Sequence, residues 1–475
     1  MKPSTALRLA RPRSTADRRR FLLIAGSMAV ASALLLAALH ILRLPTDIDP
    51  RLGGIGEPLL PYSVEGRGLA RYLTENDLRP GVVIAALLLT VPVLAFTVQA
   101  LRVGSVARDR RMASLRLAGA TPRDVRTVAA ADAGGAALAG GLLGGPAYLL
   151  LWLLAGVMPP AGTRMLDTPD ALDLATWAVL VPIAGIAGAL AAAVIHGRAV
   201  VEPLGVRRRD RPPAPGRASL AVLIGGVALV LAGLASSSSL TQHSAVELGV
   251  SVLTMIGLLL AAFAGGPRLV LASAGRLERQ RGAEALLAAR RLRADPNSAG
   301  RVAGVLVVCG VALGMEGILL AEQVLDPMGF GGDDGFYLTG YAMAALVVVV
   351  AAAVALLTLL VGAADGLLDA RRPLAALAAL GVDEQMLVRV LARQLSAIAV
   401  PPVVLGALVG GPGIALLIAE ADGEQGLGAA MQALLPAGAT AVAAALVLAV
   451  VARLAARRLR SLIRAATDPE NLRVA

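Results

Sequence analysis

The chain contains about ten runs of roughly 20 predominantly apolar residues, and this feature restricts its fold more than any other. A helix needs about 20 residues to cross about 30 Å of hydrocarbon at a rise of about 1.5 Å per residue. One such run would also fit the buried helix of a water-soluble core, but ten of them would not. The hydrophobic content of 57% and the mean hydropathy of +0.74 agree. The sequence therefore predicts an all-α, polytopic membrane protein.

The predicted spans follow the apolar runs, and a sequence defines their ends only to within several residues. They cover residues 21–42, 81–101, 128–157, 174–196, 218–236, 246–266, 302–322, 339–364, 389–419 and 431–452.

Basic residues are concentrated in alternate connecting segments. If the N-terminus is cytoplasmic, the inner segments and the start of the ninth span hold 38 of the 44 basic residues. The other six lie in outer segments, namely Arg43, Arg51, Arg67, Arg71, Arg79 and Arg164. By the positive-inside rule, this asymmetry predicts that both termini are cytoplasmic. This distribution also explains the net charge of +11 without nucleic-acid binding.

The N-terminal run has an alternative interpretation. Residues 18–22, Arg-Arg-Arg-Phe-Leu, resemble a twin-arginine export signal. However, the apolar run that follows is longer than the 7 to 15 residues or so of a typical signal core. Arginines before a first span also serve to orient it. We therefore predict an uncleaved first span.

The residue inventory disfavours several kinds of chemistry. Lys2 is the only lysine, so neither a Walker A loop nor a Schiff-base lysine is available. The single cysteine, Cys309, lies in an apolar run and has no partner for a disulfide. The three histidines (His40, His196 and His243) show no metal-ligand spacing. We expect no catalytic site, cofactor or metal in this chain.

Two segments of the sequence repeat each other. "ARDRRMASLRLAGATPRDVRTV" at 107–128 parallels "LDARRPLAALAALGVDEQMLVRV" at 368–390, with a diarginine and a glycine in the same order. Each copy follows a span that ends in Val-Gly and precedes a long span that contains Gly-Gly-Pro. Apolar composition alone does not explain this order. The pattern predicts an internal duplication, with both copies in the same orientation.

The first copy has the signals of a helix, a sharp turn and a second helix. Residues 107–118 are good helix formers, and Gly119 ends a helix at low cost. Thr121 is a suitable N-cap for the next helix, with Pro122 at its first position and Asp124 in its first turn. The second helix is predicted to continue directly into the third span.

The second copy repeats this arrangement with Gly381, with Asp383 as the cap and with Glu384 in the first turn. An interfacial helix whose arginines meet anionic lipid headgroups is one interpretation of such an element. The other is a docking site for a cytoplasmic partner that moves the attached spans. Two copies at matched places favour docking.

These motifs resemble the coupling region of FtsX-like permeases, the membrane subunits of certain ATP-binding-cassette (ABC) systems. The resemblance is carried by Leu-Arg-Leu-Ala-Gly-Ala-Thr at 115–121 and, more weakly, by Leu-Gly-Val at 380–382. It implies ATPase-coupling residues in both copies. These are Arg108, Arg110, Arg111, Leu115, Arg116, Gly119, Ala120, Thr121, Arg371, Arg372, Leu380, Gly381 and Asp383.

The arrangement is similar to that of ten-span bacitracin-efflux-type permeases and implies a bacterial cell membrane. The expected parts are a cytoplasmic segment 1–20, a first permease unit 21–196 with coupling segment 107–126, a linker unit 197–301 with two spans, a second permease unit 302–452 with coupling segment 368–388, and a cytoplasmic tail 453–475. The chain departs from the family because its outer segments, 43–80 the longest, are too short for a large external domain.

The resemblance implies a cytoplasmic ABC ATPase as partner, with two copies per permease chain and with ATP and Mg bound there. Membrane lipids are the other expected partner, and nucleic acid is not expected. The leading function is an export permease for an amphiphilic or hydrophobic substrate. A mechanical relay to an external partner and a secondary transporter remain alternatives.

Intramembrane residues supply further candidates. Glu316 lies within the seventh span, where an ionisable residue is costly, and is a candidate for substrate binding or gating. Glycines spaced four apart permit close helix contacts, with a sliding seam as the minority interpretation. These glycines are Gly140, Gly141, Gly144, Gly145, Gly406 and Gly410.

Overall fold

The computed structural model of the protein describes residues 15–44, 73, 79–102, 114, 117–156, 164, 166–197, 215–237, 244–325, 334–421 and 426–473. Within these ranges the protein is all-α and has no β-strand. Its helices are α1 (Thr15–Arg43), α2 (Arg79–Arg102), α3 (Pro122–Ala155), α4 (Ala171–Gly197), α5 (Arg217–Ser237), α6 (Ser244–Arg279), α7 (Ala283–Ala294), α8 (Pro296–Leu325), α9 (Asp334–Asp369), α10 (Arg371–Ala379), α11 (Glu384–Ala421), α12 (Gly426–Arg458), α13 (Arg460–Ala466) and α14 (Glu470–Arg473).

Ten of these helices are long and apolar enough to cross a membrane, namely α1 to α6, α8, α9, α11 and α12. The prediction of an all-α polytopic protein is therefore confirmed, and the chain is a multi-pass membrane protein. Each of the ten predicted spans corresponds to one of these helices. Helices satisfy their own backbone hydrogen bonds, which is why an apolar chain of this composition adopts them in lipid.

The largest difference from the predicted ends is in α6. The sixth span was expected to end at residue 266, before Pro267, but the helix continues to Arg279. Proline removes one backbone hydrogen bond, and contacts with a neighbouring helix can offset that loss. Here Gly266 and Pro267 pack directly against the backbone at Gly300 of α8. The tertiary contact explains why the helix does not stop.

The chain forms two compact units, Met1–Val206 and Arg207–Ala475. In the first unit, α3 packs between α1 and α4, and α1 also packs against α2. A buried hydrogen bond from Thr97 Oγ1 to Ser27 Oγ, 2.8 Å long, joins α2 to α1. Arg79, at the start of α2, donates to the carbonyls of Ile41 and Leu42 at the end of α1.

In the second unit, α11 packs between α8 and α12, and α8 also packs against α9. These contacts match those of α3, α1, α4 and α2, so each unit contains the same set of helix packings. Helices α5 and α6 pair with each other, and α6 also packs against α8. The two spans that the sequence analysis assigns to a linker thus lie within the second compact unit.

Candidate coupling segments and the helices behind them

The first turn of interest, residues 117–121, connects directly to α3. Gly119 has φ of +92°, a left-handed conformation that glycine adopts without a Cβ penalty. The Thr121 hydroxyl accepts from the Asp124 backbone N–H at 3.3 Å, and the Asp124 carboxylate accepts from the Thr121 N–H at 3.0 Å. These two bonds form a capping box, and Pro122 begins the helix. The predicted cap, turn and first residue are confirmed.

The second turn also contains a glycine with positive φ, but a different set of bonds closes it. Gly381 has φ of +88°. Its N–H donates to the Ala378 carbonyl at 2.9 Å, and the Val382 N–H donates to the Leu377 carbonyl at 3.1 Å. This is the Schellman pattern that ends many helices at a glycine. Helix α11 then begins at Glu384, one residue after Asp383.

Each turn exposes a leucine shortly before its glycine, two residues before Gly119 and one residue before Gly381. Leu117 is 90% exposed and Leu380 is 82% exposed, which places them among the most exposed large apolar residues that the structure describes. An added Cβ at either Gly119 or Gly381 would meet no atom within 4 Å. Both turns therefore project an apolar side chain on a backbone that local hydrogen bonds define.

The structure describes only part of the predicted coupling set. Thr121, Arg371, Arg372 and Asp383 are exposed, and Ala120 is half-buried. The remaining members lie outside the described residues, and their assignment stays a prediction. They are Arg108, Arg110, Arg111, Leu115 and Arg116.

The C-terminal helices support the second turn, and no sequence motif predicted this support. Helices α13 and α14 pack against α10, whose Leu374 and Ala375 are buried. Arg460 Nε donates to Glu384 Oε1 at 2.5 Å, and Arg464 forms a longer ion pair with the same carboxylate. The sequence signal was the helical spacing of Leu459, Ile463 and Ala466 in an arginine-rich tail, of which Ile463 and Ala466 are fully buried.

Helix α3, which follows the first turn, packs closely against neighbouring helices on two faces, and its glycines allow these contacts. An added Cβ at Gly140 or Gly144 would lie within 2.6 Å of Met28 or Ser32 of α1. On the other face, Gly145 lies against the indole of Trp177, whose Nε1–H donates to the Gly141 carbonyl at 2.9 Å. The two Gly-x-x-x-Gly spacings thus serve two different neighbours, α1 and α4.

Helix α11, which follows the second turn, makes an equally close contact with α8. Gly406 and Gly410 of α11 lie against the backbone of Val307 and Val311 in α8. In the same interface, Gly310 and Gly314 of α8 lie against the backbone of Val403 and Ala407 of α11. Small residues on both helices allow this approach.

Substitution of Gly140 by alanine should destabilise the first unit. The new Cβ would lie 2.5 Å from the Ala25 carbonyl oxygen, so α1 and α3 must separate. Overpacking of this kind costs about 1–3 kcal/mol. The midpoint of thermal unfolding in detergent should therefore fall. Gly135→Ala is the matched control on the same helix, because no atom lies within 4 Å of its added Cβ. Equal midpoints for the two variants would contradict the close packing.

A buried polar cluster joins the far end of α1 to the start of α4. Asp173 is 5% exposed and receives a hydrogen bond from His40 Nδ1 at 2.7 Å, an ion pair from Arg43 and a longer hydrogen bond from Tyr148. The Asp173 backbone N–H donates to Asp170 Oδ1 at 2.8 Å. This bond holds the pKa of Asp170 below its usual value.

The same cluster places three potential metal ligands together. Ligand atoms of His40, Asp170 and Asp173 lie within 4.8 Å of one another. The guanidinium of Arg43 already neutralises Asp173, however, and the Asp170 carboxylate caps α4. The arrangement is therefore an ion-pair network. Sequence spacing did not reveal it because Asp173 is 133 residues from His40.

A second ion pair lies near the opposite end of the first unit. Arg20 of α1 is 7% exposed at its side chain and donates to Asp132 of α3 at 2.8 Å. The pair connects the two helices about three turns after the Thr121 cap, since a helical turn is about 3.6 residues.

Glu316, the predicted gating or substrate residue, lies in α8. Its side chain is buried, and its Oε1 has no hydrogen-bond partner among the residues that the structure describes. A functional role for Glu316 remains a prediction.

No match to this chain is found among protein-family models, curated proteins or solved structures. The fold and the two turns define the class, a multi-pass helical membrane protein with two glycine turns that lead into spanning helices. The resemblance to FtsX-like permeases therefore rests on the sequence motifs.

Proposed function

We propose that the chain is the permease subunit of an ABC transporter in a bacterial cell membrane. In this proposal a separate cytoplasmic ATPase binds ATP and Mg, and one copy docks at each coupling turn. ATP hydrolysis then drives the export or extraction of an amphiphilic or hydrophobic substrate through the helices of this chain.

The observation that carries the proposal is the pairing of the two turns. Each has a left-handed glycine, an exposed leucine and a following helix that continues into the apolar region. A solvent-exposed leucine has no stabilising role within its own unit, and its burial by a partner would be favourable. Two such sites in one chain fit two copies of one partner.

The geometry also gives a route for movement. Helix α3 has 34 residues and extends about 51 Å from its cap. Glycines hold it against both α1 and α4, so a displacement of the turn would move these helices together. In the second unit, α11 has the same relation to α8 and α12.

The partner must supply the nucleotide site, because the sequence contains no Gly-x-x-x-x-Gly-Lys and its one lysine is Lys2. The lack of this motif favours a relay or permease driven by a partner ATPase over a pump that hydrolyses ATP itself.

The test is co-purification of the tagged full-length chain from its native host, followed by titration with the ATPase that is recovered. Leu117→Ala combined with Leu380→Ala should weaken ATPase binding at least tenfold, since truncation of a central apolar contact costs about 1–2 kcal/mol or more. The matched control combines Leu435→Ala with Leu446→Ala, two exposed leucines of α12 remote from both turns in sequence.

Recovery of an ATPase whose binding falls only in the turn variant supports the proposal. Equal binding by the two double variants would contradict docking at the leucines. If the purified chain has no ATPase partner and transports a substrate with an ion gradient alone, the chain is a secondary transporter and the proposal is wrong.

A further inference from the structure

A cavity of about 660 Å³ lies in the second unit among helices α6, α7, α11 and α12. Its lining arginines lie near the C-terminal ends of α6 and α12 and the N-terminal end of α11. The positive-inside rule assigns this end of the helices to the cytoplasm. The volume is typical of sites for small ligands.

The cavity wall carries a large excess of positive charge. Five arginines line it against one acidic residue, Glu284. Glu284 forms ion pairs with two of these arginines, Arg389 at 2.5 Å and Arg393 at 3.3 Å. Among the residues that the structure describes, no ion pair involves the other three, which are Arg276, Arg453 and Arg457.

The spacing of these arginines is unfavourable unless an anion is bound. Arg389 and Arg393 are four residues apart on α11, and Arg453 and Arg457 are four apart on α12. Like charges at this spacing on a helix repel each other. One carboxylate offsets the α11 pair, and the α12 pair lacks a counter-charge of its own among the described residues. A phosphate group offers several strong acceptor oxygens for such guanidinium groups.

The cavity wall changes from charged to apolar along α11 and α12. Along α11 it continues from Arg389 and Arg393 to Val400 and Pro401, and on α12 it continues from Arg453 to Ala449. None of the lining residues is aromatic, so the cavity offers no surface for stacking a nucleobase. The ligand that fits this gradient has an anionic head and an apolar body.

We propose that this cavity binds the phosphate headgroup of an anionic membrane lipid, with the start of an acyl chain along Val400, Pro401 and Ala449. The arginines neutralise the headgroup, and the apolar wall accepts the part of the lipid that enters the hydrocarbon region. This site is separate from the proposed ATPase docking, and its test requires no ATPase.

The experiment titrates the purified full-length chain, in an uncharged detergent, with a short-chain phosphatidylglycerol, with the matching phosphatidylcholine and with inorganic phosphate. Arg276→Ala combined with Arg457→Ala removes two lining arginines that have no ion pair among the described residues. Arg279→Ala combined with Arg458→Ala is the control, because it removes the same charge from the same two helices outside the cavity wall.

We expect phosphatidylglycerol to bind more tightly than phosphatidylcholine. The lining variant should weaken phosphatidylglycerol binding by about thirtyfold, because it removes two arginines at roughly 1 kcal/mol each near a charged lipid surface, whereas the control should retain wild-type affinity. Equal losses in the two variants would show non-specific attraction and overturn the site. Equal affinity for inorganic phosphate and phosphatidylglycerol would overturn the lipid assignment, because the apolar wall would then contribute nothing. Unaltered thermal unfolding of both variants confirms that any loss is not misfolding.

Discussion

Valine at both Gly119 and Gly381 is expected to abolish the stimulation of ATPase activity by the permease, while the protein remains folded. A β-branched residue at φ near +90° is strained by about 1–3 kcal/mol, which the turn would relieve by changing its backbone conformation. Leu117 and Leu380 would then leave the positions in which they project. The measurement is the ATPase rate with and without the permease in lipid nanodiscs, and we expect the stimulated increment to fall by about tenfold or more, as for displacement of a central docking contact.

The control for this pair is Gly135→Val combined with Gly366→Val. Both glycines lie within helices, and an added Cβ at either would meet no atom within 4 Å. Neither has the positive φ of the turn glycines. The control should keep most of the stimulation, because valine costs little in an open helical position. Full stimulation in the turn variant would contradict the assignment of these segments as coupling elements.

Asp173→Asn should produce the largest loss of stability among single substitutions in the first unit. The carboxylate accepts bonds from His40 and Tyr148 and pairs with Arg43, and asparagine would leave the partly buried guanidinium without its counter-charge. Removal of one partner of a buried pair costs about 3–5 kcal/mol, and we expect the lower end because Arg43 keeps contact with solvent. The free energy of unfolding in mixed micelles is the quantity to measure.

Asp170→Asn provides the comparison for this prediction. Asp170 is exposed, and its carboxylate accepts the Asp173 backbone N–H at the start of α4. Asparagine caps helices about as well as aspartate, so its effect should be a few tenths of a kcal/mol. If both variants unfold at the same free energy as the wild type, the cluster does not stabilise the contact between α1 and α4.

Local signals in the sequence were sufficient for the spans and for the first turn. The length of the apolar runs predicted all ten spanning helices, because in lipid each segment must form its backbone hydrogen bonds internally. The bonds at Thr121 and Asp124 join residues three apart, so a short motif specifies them. The same applies to the turn at Gly381, which a glycine after a helix predicts.

Tertiary contacts account for what the sequence did not predict. Helix α6 continues through Pro267 because α8 supports it at Gly300. The Asp173 cluster depends on residues far apart in the chain, and the arginine-lined cavity depends on the packing of four helices. Arginine counts predicted which side of the membrane these residues face, but not that five of them would share one cavity.

The local origin of the Gly381 turn has a consequence for association kinetics and affinity. Its two closing hydrogen bonds lie within six residues, and the helices α13 and α14 support α10 from this chain itself. The turn therefore does not need a partner to adopt this shape. A preorganised surface loses little conformational entropy when it binds, so a small contact area is enough for useful affinity. A partner that docks there would associate without a preceding folding step.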